Sequence, residues 1–312
     1  MSLDPLIQSM RDGPASRFFL VAYLPTAAAG LFLFTLVRAG APGHELRFQQ
    51  VWRTSSAEPG FGAVLMVAVV TVLAALLVHP LQLALVRLLE GQWPRWLAPL
   101  AVPLRRWHRH RRDRLTALEE RLPAGPDEPG YAQAVQDAGR AGTLRRRLYP
   151  SGLPRPTALG NILAAAEETA GADYGWDAVV AWPRLYPLLP GPTRTIVDAR
   201  RNSLDFAATM TATATATAIA AALLLCPSPR WLPLALVPLG VGFLAWRGAL
   251  QAALAYGEAV RVAFDLHRFE LHTALRLPLP ATRADEIAAA RGLCDLWRQG
   301  VPVALTYQHP PT

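Results

Sequence analysis

Twenty consecutive residues, Phe18 to Val37, carry no charge. A bilayer core about 30 Å thick is crossed by about 20 apolar residues in a helix, so this run has the length and character of a membrane span. Phe61 to Val78 and Phe206 to Leu225 are two more such runs. A fourth begins at Trp231 and stays uncharged to Trp246, where Arg247 interrupts it. An arginine one turn from an interface can snorkel, which extends this span over 231–252 and the helix itself towards Tyr256. Pro25, Pro233 and Pro238 do not defeat the assignment, because neighbouring helices and water satisfy the freed carbonyls. The first run is too long for a signal peptide, and Val37-Arg38-Ala39 makes a poor cleavage site. The spans at 18–37, 61–78, 206–225 and 231–252 predict an all-α polytopic membrane protein, with four transmembrane helices and a helical cytoplasmic domain.

Charge gives the orientation. Only 17% of the 312 residues are charged, yet they sum to +8, and every one of the 31 basic residues is Arg. A soluble domain carries about 25% charged residues. This balance, with 52% hydrophobic residues, excludes a secreted disulfide scaffold, a disordered tail and a collagen-like repeat. Arginines gather on the cytoplasmic side of spans. The first hairpin is ambiguous, since Arg11 and Arg17 precede it and Arg38, Arg47 and Arg53 fill its loop. The second is clear: Arg194, Arg200 and Arg201 precede it and only Arg230 lies in its turn. Both termini and the long central segment are therefore expected in the cytoplasm at the inner membrane, with 38–60 and 226–230 outside. Cys226 and Cys294 then lie on opposite sides and cannot pair within one chain.

The chain divides into a tail and first hairpin (1–89), a basic helical region (90–205), a second hairpin (206–256) and C-terminal helices (257–312). After His79-Pro80, the leucines at 81, 85, 88 and 89 with Trp93 and Trp96 read as a helix running along the inner membrane surface. A basic cluster follows at Arg105, Arg106, Arg109, Arg111 and Arg112, continuing into Leu115, Leu118 and Leu122. Beside a span, such a cluster attracts anionic inner-leaflet lipid at about 1 kcal/mol per Arg. The cluster already serves the topology rule, so nucleic acid is not an expected partner. A polar helix is predicted near Tyr131 to Tyr149. Thr157 should cap the next helix, Asp177 the run Ala178 to Trp182, and Thr282 a last helix to Gly300, with a loose tail beyond. The prolines at 183, 187, 190 and 192 predict an irregular stretch. From Thr193 a helix should run into the third span. Val262, Leu266 and Phe269 continue the fourth span as one long helix ending at Leu277-Pro278.

Three motifs invite functional readings. Thr209, Thr213 and Thr217 share one face of the third span, opposite Thr211 and Thr215. Hydroxyl rungs can line a pore, and small residues can equally form a packing face within or between protomers. Asp265-Leu266-His267-Arg268-Phe269-Glu270 is the densest polar cluster. Helical spacing pairs His267 with Glu270 and lets Asp265 reach Arg268. Together with Asn161, these residues form a candidate cytoplasmic interaction cluster. A metal site needs three converging ligands, whereas His267 and His272 face different ways. Gly160-Asn161 within a helix suits a close crossing in which Asn161 bonds a neighbouring backbone. No nucleotide-loop, hydrolase, zinc-protease or dithiol motif is present in the sequence, so neither a cofactor nor catalysis is expected.

Two segments carry a resemblance. Leu153-Pro154-Arg155-Pro156-Thr157-Ala158-Leu159-Gly160-Asn161, continued by Tyr174-Gly175-Trp176-Asp177-Ala178-Val179-Val180 and Trp182-Pro183-Arg184-Leu185, is one. Arg261-Val262-Ala263-Phe264-Asp265-Leu266-His267-Arg268-Phe269 is the other. Together they resemble a group of multi-pass membrane proteins of high-GC actinobacteria to which no activity is assigned, and the lack of Lys fits that coding bias. The resemblance implies the same topology and one docked cytoplasmic unit built from both segments. It supplies no catalytic residue.

The expected function is that of a non-enzymatic inner-membrane protein whose basic helical domain docks a protein partner or a neighbouring protomer. The alternative is an oligomeric ion channel or pore lined by the Thr-rich third span.

Overall fold

A computed structural model describes residues 24–43, 46, 87–121 and 130–308. The predicted span at 61–78, the first six residues of the span at 18–37, and Leu122 lie outside the described residues. The described secondary structure is helical throughout, with no strand. In chain order, α1 is Leu24–Arg38, α2 Ala98–Glu119, α3 Tyr131–Leu148, α4 Ala158–Thr169, α5 Ala178–Leu185, α6 Gly191–Leu225, α7 Leu236–Ala274 and α8 Arg283–Gln299. Among the described residues, two helices are long and apolar enough to cross a membrane: Gly191–Leu225, and Pro229–Ala274 counted with its leading 3-10 turns. Pro25–Arg38 is a shorter apolar helix.

Local chemistry accounts for the helix starts. Thr157 accepts a hydrogen bond from the Gly160 amide (3.1 Å), and Asp177 accepts one from Val179 (2.9 Å). Thr282 and Asp285 cap each other reciprocally. Each side chain satisfies an amide that the first helical turn leaves without a partner. The proline-rich stretch is more regular than the sequence suggests: α5 runs through Pro183, a 3-10 turn covers Tyr186–Leu188, and α6 opens at Gly191. The tail beyond Gly300 is also better held than expected. Gln308 donates its amide to the Arg276 carbonyl (2.7 Å), and Leu305 packs on the core.

The chain forms two compact units. One comprises 1–88 and 202–249. One cluster of its buried residues is Leu36, Ala39, Ala41, Leu46, Ala221, Leu225 and Ala235, and the Ser228 hydroxyl donates to the Gly43 carbonyl (2.7 Å). Gly242 of α7 lies against Ala214 and Thr215 of α6. Six large apolar side chains, Ile219, Leu223, Leu236, Val237, Phe243 and Leu244, are exposed.

The other unit comprises 89–201 and 250–312. Its core is built around Phe264, with Trp176, Leu185, Val197, Leu271 and Leu293 among its buried members. Gly171, at φ +75°, lies against the Phe264 and Trp176 side chains, so a Cβ there would meet both strain and overlap. α2 packs on α3, where Glu119 receives Arg145 (2.7 Å) and Arg146 (3.1 Å).

Candidate functional site

The 265–270 stretch lies on α7 within the second unit. Arg268 is its centre. Its guanidinium carbon stands 3.9 Å from the Tyr174 ring centroid and 4.4 Å from that of Phe269. Nε donates to Glu286 of α8 (2.5 Å), and Nη1 to the Asp265 carbonyl. A guanidinium is planar and weakly hydrated, so it can stack on an aromatic face while its edge hydrogen-bonds a carboxylate. Burial, then a hydrogen bond to the Asp265 carboxylate, pushes the Tyr174 phenol above its ordinary range. Asp173, Tyr174, Arg268, Phe269, Thr282 and Glu286 line a shallow groove here. Three segments far apart in sequence thus meet at one polar site.

These partners differ from those helical spacing proposed. Arg268 takes Glu286 as its ionic partner and meets Asp265 through the backbone. His267 lies with Nε2 3.1 Å from the Thr193 hydroxyl of α6, not against Glu270, which is exposed. Distance along the chain explains the difference, since neither Glu286 nor Thr193 is visible from a one-turn pattern.

Asn161 stands elsewhere in the same unit and is fully buried. Its Oδ1 accepts from the Arg155 amide (2.6 Å), while Nδ2 donates to the carbonyls of Arg155 and Thr157 (2.9 Å each). Gly160 beside it has no room for a Cβ against the Glu90 carbonyl. Asn161 therefore clamps the Pro154–Pro156 loop onto α4, and its polar atoms do not reach the 265–270 stretch.

Close to the Arg268 groove, His272 is buried against Trp176, ring centroids 5.7 Å apart. Neither His272 ring nitrogen has a hydrogen-bond partner among the described residues, and nor does Trp176 Nε1. Burial lowers the His272 pKa, against the opposing pull of Glu286. Cys294 is buried beside them, its sulfur accepting from the Asp177 amide (3.3 Å), and desolvation raises its thiol to about 11. Such a thiol is a weak nucleophile at neutral pH. The sequence pointed to none of Tyr174, Trp176 or Glu286 as site members. The only available signal was the polar-aromatic run Asp173-Tyr174-Gly175-Trp176-Asp177, which reads equally well as a turn.

The basic cluster lies on α2. Arg105, Arg106, Arg109 and Arg111 are exposed, and Arg111 stands over the Trp107 ring at 5.4 Å. Arg112 is placed differently, half-buried and donating to the carbonyls of Ser151 (3.2 Å) and Gly152 (2.5 Å). Behind it, His108 is buried near Tyr149, and desolvation followed by the charge of Arg111 lowers its pKa.

On α6, Thr209, Thr211 and Thr217 are buried and Thr215 exposed, so burial does not follow the two-sided division read from the sequence. The hydroxyls of Thr211, Thr215 and Thr217 donate to the carbonyls four residues back (2.7 Å each). Among the described residues, no group of three or more His, Cys, Asp and Glu side chains is arranged to hold a metal.

No protein-family model, curated protein or solved structure matches this chain.

Proposed function

We propose that this chain is a non-enzymatic integral protein of the inner membrane. Its four spans, at 18–37, 61–78, 206–225 and 231–252, would hold a helical cytoplasmic unit that docks a protein partner or a second protomer. The observation that carries this reading is the outward direction of large apolar side chains. Only 22% of the most apolar stretch within Pro229–Ala274 is buried. In water, exposed apolar surface costs about 25 cal/mol per Å², whereas lipid removes that cost. The Arg268 groove supports the docking part, because it presents Arg and aromatic groups, which are enriched at protein interfaces.

Alkaline carbonate extraction and thiol labelling test the membrane part. The chain is expected to stay with the membrane, and an impermeant maleimide applied from outside is expected to modify the exposed Cys226 and leave buried Cys294 untouched. Release by carbonate would overturn the reading. Cross-linking in native membranes tests the docking part: a single monomeric band, unchanged by Arg268→Ala, would sink it.

The second reading is a pore lined by the third span, three of whose threonines donate their hydroxyl protons to the helix backbone and keep the oxygen lone pairs as possible ion ligands. Its test is ion flux in liposomes, where Thr213→Leu and Thr217→Leu should block conductance if these residues line a pathway.

A further inference from the structure

His272 lies one turn beyond Arg268 on α7, so the two side chains share a side of that helix. Its ring is 2% exposed and stands edge-on to Trp176, with both nitrogens unpartnered among the described residues. Orphaned polar atoms destabilise a core, so packing alone does not account for a histidine here. Arg268 on α7, Asp173 and Asp177 before α5, Arg184 on α5, Asp198 on α6 and Asp295 on α8 are the charges of the elements around this core. Several are engaged elsewhere: Asp177 with Arg298, Asp198 with the Tyr186 hydroxyl, Arg184 with the Val180 carbonyl. The charge that acts on His272 is that of Glu286 on α8, the carboxylate already paired with Arg268. The neighbouring Cys294 thiol, pushed up to about 11 chiefly by burial, stays neutral and adds no charge.

We infer that His272 is a proton-operated latch beneath the Arg268 groove: once charged, its ring competes with Arg268 for the Glu286 carboxylate and loosens that wall of the groove. A buried imidazolium needs a counter-charge, and Glu286, itself 6% exposed, is the one that reaches it. Two cations that share one carboxylate weaken each other's hold on it. The coupling is reciprocal, so what Arg268 loses when His272 is protonated, His272 gains when Arg268 is removed. Arg268 also stacks on Tyr174, two residues before Trp176, so a slackened pair is felt in that turn as well as on α8. Burial shifts proton uptake below the ordinary imidazole range, so the latch answers to acid and rests closed at neutral pH. Its effect on docking rests on the docking role proposed for the groove, whereas the latch itself does not.

Ala281 lines the groove and is exposed, so a nitroxide spin label there reports the groove's mobility. The full chain is labelled in detergent as Cys226→Ser/Ala281→Cys, which removes the exposed native thiol. Label mobility is expected to rise reversibly on acidification while far-UV circular dichroism stays unchanged, and the rise should vanish in His272→Phe. Tryptophan emission locates the proton, because an imidazolium quenches an adjacent indole. Trp176 should dim with the same midpoint, read in a Trp107→Phe background because His108 packs on Trp107. Arg268→Met removes the competing cation and should raise that midpoint by about one pH unit, and Glu286→Gln should lower it by a similar amount.

A label that acid does not mobilise, or one whose response survives His272→Phe, would overturn the latch. So would an Arg268→Met midpoint equal to that of the wild type, or quenching that coincides with loss of helix, which is acid unfolding. If the label and Trp176 respond as expected but no partner cross-links at any pH, the latch stands and the docking reading fails.

Discussion

The two units differ in the largest side chains that they bury. In the unit that includes 202–249, alanines at 208, 214, 218, 221 and 249 are buried, while Ile219, Leu223, Phe243 and Leu244 face out. In the unit that includes 250–312, Phe264, Trp176, Leu185, Leu271 and Leu293 are inside. Water drives the largest apolar groups into a core. Lipid does not, since its tails are as apolar as leucine, and helices there associate by close contact of small residues. Gly242 against Ala214 and Thr215 is a close contact of small residues. The long helices α6 and α7 carry both patterns along their length, Ala and Thr giving way to Val197 on one, Ala249 to Phe264 and Leu271 on the other. The packing therefore changes along each long helix, a difference that secondary structure alone does not show.

The largest effect should come from exchanging the same residue type in the two regions. Phe264→Ala is expected to cost about 3–5 kcal/mol, because the side chain is fully buried and leaves a cavity. Phe243→Ala, at an exposed position, should stay within about 0.5 kcal/mol in lipid or detergent. Thermal unfolding of both purified variants measures the contrast. Equal losses would break the comparison, since Phe243 would then be packed as Phe264 is.

The Arg268–Glu286 pair is the next largest. Glu286→Gln should cost about 3 kcal/mol by leaving a nearly buried guanidinium without its charge partner. Arg268→Met/Glu286→Leu should recover most of that loss, because it removes both charges and keeps the volume. A double variant no better than Glu286→Gln alone would mean that the stacking of Arg268 on Tyr174, rather than the ion pair, carries the site.

This pair also marks where the sequence stops being readable. Thr157, Asp177 and Thr282 were recognisable as caps because capping is settled within three residues. The long helices were recognisable from uncharged runs, another local property. Arg268 instead chose Glu286, 18 residues away across a Pro-containing break, over Asp265 one turn away. The tail was expected to be loose, yet Leu305 reaches the core and Gln308 bonds Arg276. Arg112 counted as one of five equivalent cationic residues, and only the folded Ser151-Gly152 loop distinguishes it. In each case the deciding partner is remote, and no periodicity records it.

Acid should act on the unit with the large core. Burial lowers the pKa of both His272 and His108, so the fold takes up their protons at lower pH than the unfolded chain, which does so near 6.5. The unfolded state therefore binds more protons as pH falls below that value, and stability declines with acidification while remaining flat above it. Unfolding temperatures recorded between pH 5 and 8 should show the decline, and His272→Phe should flatten part of it. An identical slope in the variant would exclude His272 as a source.

The smallest effect compares threonines. Thr282 caps α8 by accepting from the Asp285 amide and holding the Asp285 carboxylate, and an N-cap Thr→Ala change costs about 1 kcal/mol. Thr215 instead donates to the Thr211 carbonyl, a group already bonded within its own helix. Such back-bonding adds little and tends to bend a helix, while alanine is the better helix former. Thr215→Ala is therefore expected to change stability by less than about 0.5 kcal/mol, in either direction. If unfolding in detergent shows Thr215→Ala to cost as much as Thr282→Ala, that hydroxyl has a partner beyond its own helix. A second protomer would be the first to seek, and cross-linking at the exposed Thr215 face would identify it.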